Sequence, residues 1–223
     1  MSSSLEGTTL LAQGAALKYL PSILEDMTGI FDVSVLGCLL RDFIGNLPPG
    51  RLLRHKLQSL TDIVNSPVFQ AHESREMLLQ TAVPILQELI GKGEEEEASL
   101  DLLSNILEVL YKTQKKAEEP RVSAGRREKQ HKEETSSELG KVKAHVKMIL
   151  QWLLRTVNRR VIALGREHAL RSHYVACMTA ILSQLDAAHY SRFFQTFPAR
   201  TDLLVRASAP WGWGRAQEPQ RPL

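Results

Sequence analysis

The sequence predicts an all-α protein built from antiparallel helix pairs. Three observations carry that reading. Apolar residues recur at helical spacing in nearly every ordered-looking segment. No segment alternates apolar and polar residues between hairpin turns. Prolines and glycines punctuate the chain at intervals that suit helices joined by short connections. At 223 residues the chain has room for one domain or a long slice of a larger one.

The N-terminal fifty residues predict helical runs over about 9–20, 22–31 and 33–46, separated by Pro21, Gly29 and Pro48-Pro49-Gly50. From 51 to 65, Leu53, Leu57, Leu60 and Val64 line one face, with Arg51, Arg54, His55, Gln58 and Asp62 opposite. Pro67 ends that helix. The next, over 75–90, carries two apolar lines (Leu78, Ala82, Ile85, Leu89, and Leu79, Val83, Leu86, Ile90), so more than one neighbour covers it. Pro84 predicts a kink in it, and Gly91 and Gly93 predict its end. The acids Glu94 to Glu97 suit the start of the following helix, where the helix dipole favours negative charge. Leu103, Ile106, Leu107 and Leu110 give that helix its stripe.

Over 112–141 the pattern disappears. Val122 and Leu139 are the only aliphatic residues larger than alanine, so the segment reads as a disordered polar insert. Period returns at Val142. Val146, Ile149, Leu153, Val157 and Leu164 share one face of a long helix closed by Gly165, and Leu170, Tyr174, Cys177, Ile181 and Leu185 share the next. A short aromatic helix over 189–197 ends at Pro198, and its Phe193, Phe194 and Phe197 need a cover. The tail over 205–223 holds Trp211, Trp213 and a minimal PxxP match at Pro219 and Pro222, with Arg215 out of register; it reads as a disordered end.

Charge divides the chain. Residues 1–111 carry 7 Lys and Arg against 15 Asp and Glu, a balance of −8, and residues 112–223 carry 21 against 10, a balance of +11. Such asymmetry points to an acidic partner or an anionic membrane surface, or only to two dissimilar ends. Arg155, Arg159 and Arg166 fall within about 40° of one another on the helical wheel, opposite Val146, Val157 and Leu164. The ordinary reading of such a row is a solvated face; the functional one is an anion-binding ridge. No aromatic residues alternate with the arginines as single-strand binding requires, so no nucleic-acid partner is expected.

Phosphate-loop, dinucleotide, zinc-protease, CxxC and nucleophile-elbow motifs are absent, so no cofactor, no metal and no catalytic residue is expected. His168 and His173 are five apart and do not share a helix face as paired ligands would. Cys177, with His173 or His189 imagined as its base, lies in an apolar stripe where a thiol is inert packing. Cys38 and Cys177 therefore read as reduced core thiols of a cytoplasmic protein. No apolar run is long enough for a membrane span, and no signal peptide is visible.

Four blocks together carry a resemblance: RHKLQSLTDIVNSPVF (54–69), LLSNILEVLY (102–111), LLRTVNRRVIALGRE (153–167) and YVACMTAILSQLDAAHYSRFFQTF (174–197). They resemble the dedicator-of-cytokinesis (DOCK) family, in its Rac-activating branch, over about residues 1–204. The resemblance implies an armadillo/HEAT-like helical solenoid, a choice that periodicity leaves open between solenoid and bundle. It implies a scaffold in two parts, 1–111 and 142–204, with the insert 112–141 between them and a non-homologous tail over 205–223. It further implies a central segment of a guanine-nucleotide exchange factor, lacking the exchange domain and inactive alone. The implied partners are the flanking DOCK domains. A Rac-type GTPase and an ELMO-type adaptor belong to the whole factor and are not expected on this segment. The implied location is cytoplasmic, with recruitment to the plasma membrane. Two departures stand out: the insert is longer than the family's connection, and Arg160 sits beside Val157, Val161 and Leu164, where a small polar residue is expected.

Overall fold

The computed structural model describes residues 2–48, 50–118 and 128–184. Among them are eight helices and no strand: α1 (Ser2–Thr28), α2 (Val33–Gly45), α3 (Leu53–Val64), α4 (Pro67–Gln70), α5 (His72–Lys92), α6 (Glu96–Glu118), α7 (Glu128–Ala163) and α8 (Arg171–Ser183). Two rows of helices lie against each other. In one, α1 packs on α3, α3 on α6, and α6 on α8; in the other, α2 packs on α5 and α5 on α7. The chain crosses between rows at nearly every connection, which makes a helical solenoid.

One continuous core runs between the rows, from Leu24 on α1 to Leu182 on α8. It contains both apolar lines of α5 and the stripes of α3, α6, α7 and α8. A smaller group, Leu17 with Leu47 and Leu52, fastens α1 to the turn before α3. Within the second row, α2 and α5 approach closely at Gly37, where a Cβ would lie 2.8 Å from the Cβ and 2.9 Å from the Cα of Ser74. The Ser74 hydroxyl donates to the Val33 carbonyl there.

Two expectations are corrected by the backbone. The runs over 9–20 and 22–31 form the single helix α1, which continues through Pro21. The burial of Leu17 and Leu24 on either side of the proline holds the helix together. α5 runs on through Pro84, which does not end the helix. Pro84 and Gln80, whose carbonyl loses its donor, both lie on the exposed side.

The second concerns the insert. Both its ends are helical: α6 continues to Glu118 and α7 begins at Glu128. The residues there are strong helix formers, and pairs one turn apart support them. Lys112 meets Glu108 at 2.5 Å, Gln114 donates to Glu118 at 2.9 Å, and the Lys115 ammonium lies over the Tyr111 ring. Low apolar content does not by itself mean disorder, since exposed helices need little of it on their outer turns. The expected aromatic helix over 189–197 and the tail over 205–223 lie outside the described residues. No helix among the described residues is long and apolar enough to cross a membrane.

Candidate functional site

α7 is the element on which the polar chemistry converges, because it touches α5, α6 and α8. Near the start of α5, Arg75 is fully buried. Its Nε donates to His145 Nδ1 at 3.1 Å, one Nη to the Gln70 carbonyl at 3.0 Å, and the other Nη to Glu138 Oε1 at 2.6 Å. The His145 ring stacks on that of His72, with centroids 6.0 Å apart. Burial, followed by the nearby Arg75 charge, lowers the His145 pKa to about 4, so the ring stays neutral and accepts from Arg75.

At the far end of α5 a second cluster forms. Arg160 grips the Glu96 carboxylate through Nε at 2.6 Å and Nη2 at 2.9 Å, and the Tyr174 hydroxyl donates to Glu96 Oε1 at 2.6 Å. The guanidinium's hydrogen bond holds the Glu96 carboxyl below its usual range. Burial, and then the hydrogen bond to Glu96, push the Tyr174 phenol well above its own. The guanidinium lies on Gly93, which closes α5 at φ +73 and where a Cβ would come within 2.5 Å of Arg160 Nη2. Glu96 opens α6, so the expected acidic start of that helix also supplies a partner to the misplaced-looking Arg160.

A third contact joins α6 to α8. Ser104 Oγ lies 2.9 Å from His173 Nε2 and 3.3 Å from Cys177 Sγ. The serine was not anticipated; its place one turn after Asp101 and Leu100 carries no signal of its own. Burial pushes the Cys177 thiol up, so it is no thiolate nucleophile at neutral pH. Among the described residues no group of three His, Cys, Asp or Glu could hold a metal ion. The two described cysteines are free, with Cys38 half-buried.

The proposed cationic row is only partly assembled. Arg155 and Arg159 are exposed on α7, but the helix ends at Ala163, so Arg166 does not share its wheel. The chain turns there: Arg171 Nη1 donates to the Leu164 carbonyl at 3.1 Å, and His168 N–H to the Gly165 carbonyl at 3.2 Å. Arg166 lies in that turn and is exposed. What the row does hold, and what its arginines alone did not show, are Trp152 and Ile162, 48% and 52% exposed.

Comparison with known proteins now decides the family. The model of the Dedicator of cytokinesis (DOCK) TPR region matches residues 1–124 and 133–206. The chain belongs to the DOCK family. Relatives include dedicator of cytokinesis protein 3 of Mus musculus, 24% identical over 215 residues, covering 88% of this chain and 10% of that protein. The Homo sapiens protein 3 is 23% identical over 217 residues, with the same coverage. Dedicator of cytokinesis protein 4 of Mus musculus is 24% identical over 218 residues, 91% of this chain and 10% of that protein. The chain thus spans about a tenth of the length of these DOCK relatives. The break in the DOCK match falls inside the segment read as an insert, and the match resumes within α7.

Proposed function

We propose that this chain is a spacer of a Rac-directed guanine-nucleotide exchange factor, a rigid helical scaffold with no exchange chemistry of its own. The observation that carries the reading is the second polar cluster. Arg160, Glu96, Tyr174 and Gly93 come from α7, α6, α8 and the close of α5, and they lock these elements at one point. A site built this way holds geometry; none of its groups is free to attack or to shuttle a proton. The flanking DOCK modules are its partners on this reading. A Rac-type GTPase and an ELMO-type adaptor meet the whole factor elsewhere, in the cytoplasm and at the plasma membrane to which it is recruited. The test is a nucleotide-release assay on Rac with the purified chain. The release rate should equal that of the GTPase alone, and acceleration comparable to a complete exchange factor overturns the proposal.

A further inference from the structure

The exposed side of α7 is laid out as a helix-binding seam. Met148, Trp152, Arg155, Arg159 and Ile162 follow one another at spacings of four, three, four and three, the heptad rule by which one helix presents a straight line to another. Met148 packs partly on the core, whereas Trp152, Arg155, Arg159 and Ile162 are exposed. At 1.5 Å per residue the line is about 21 Å long. Its ends are apolar and its middle is cationic.

We infer that this seam docks one amphipathic helix of a partner protein, with apolar residues at both ends of its own seam and acidic residues at the two middle positions. Charge complementarity fixes the middle: a carboxylate opposite the exposed Arg159 becomes a fork-shaped pair as the flanking apolar residues exclude water. Tryptophan and arginine are also the residues that dominate interface energetics when buried. An anionic bilayer fits less well, because it is broader than one helix.

The probe is a labelled synthetic helix of about three heptads, with leucine at the outer seam positions and glutamate at the two middle ones, titrated against the whole chain by fluorescence anisotropy. A companion peptide carries lysine in place of glutamate. The glutamate peptide should bind at least about tenfold more tightly, and the preference should weaken as salt rises from about 50 to about 300 mM. Arg159→Glu should reverse the preference, and Trp152→Ala should weaken both peptides. Both positions are exposed, so circular dichroism should show the fold unchanged. Equal binding of the two peptides, no binding of either, or indifference to both substitutions overturns the inference. So does a chain that ignores the peptides but sediments with phosphatidylserine-containing vesicles through Trp152 and Arg159, since that outcome makes the seam a membrane face.

Discussion

Replacing Arg160 by alanine tests how the scaffold is locked. The Glu96 side chain is 13% exposed and that of Arg160 27%. Removing one partner of a fully buried pair costs about 3–5 kcal/mol, and a surface pair is worth about 0–1. This pair lies between, so Arg160→Ala should cost about 2–3 kcal/mol, or a drop of roughly 5–10 °C in melting temperature for a chain of this length. Lysine at 160 restores the charge without the fork and should recover only part of the loss. The companion double variant Glu96→Gln with Arg160→Met should be more stable than Arg160→Ala alone, because no carboxylate is then left without its cation while the Tyr174 hydroxyl keeps an acceptor. The sign with pH follows from the carboxyl's lowered pKa. Its stabilisation is full above the ordinary carboxylate range and is lost as pH falls through the lower, folded-state value. Urea titrations at several pH values should therefore show a shallower acid slope in Arg160→Ala. A loss below about 0.5 kcal/mol, or an unchanged acid slope, would refute the reasoning, because both belong to a solvated pair.

Gly37→Ala should destabilise by about 1–3 kcal/mol, since its Cβ would press on the Ser74 backbone, which has no free end to swing away; calorimetry reads the shift. His145→Gln keeps an acceptor for Arg75 but cannot titrate. The lowered His145 pKa means that the unfolded chain takes up the proton first, so the parent should lose roughly 2 kcal/mol between pH 6.5 and 4, and the variant should lose less across that window; denaturation at stepped pH decides. With a thiol-reactive dye under native conditions, half-buried Cys38 should react within minutes while Cys177 reacts only with unfolding; equal rates would contradict the packing of α8 on α6.

The apolar stripes were legible because burial imposes them residue by residue. Leu57, Leu60 and Val64 on α3, both lines of α5, and Tyr174, Cys177 and Ile181 on α8 lie in the core as their spacing required, with Ile85 only partly buried. Arg160 was legible as a misfit: an arginine placed beside Val157 and Val161 has to find an anion. Its partner was not, because Glu96 is 64 positions away and already had a sufficient local explanation at a helix start. The reach of Arg75 to His145, 70 positions on, is hidden for the same reason. Arg166 shows the opposite failure. A helical wheel assumes a continuous helix, and nothing in the wheel registers that Arg171 draws the Leu164 carbonyl into a turn. The seam is legible only as arginines, because Trp152 and Ile162 stand singly on the polar face and form no apolar period of their own.

The two polar clusters also explain how a stack of helices can be stiff enough to space other modules. Apolar ridges resist separation of two helices but tolerate small sliding and rolling, because dispersion contacts are many, weak and interchangeable. Arg75 pins the first turn of α5 to His145 and Glu138, and Gly93 pins its close to Arg160. Positions rise together along both helices, so α5 and α7 run in the same direction. The two pins are 18 residues apart on α5, about 27 Å at the helical rise. The hydrogen bonds of Arg75 at one end and the close approach of the Arg160 guanidinium to Gly93 at the other hold α5 and α7 in one register. Directional bonding by Arg75 and Arg160 then adds to what the core supplies, so truncating either arginine should loosen the scaffold more than its share of buried area would suggest.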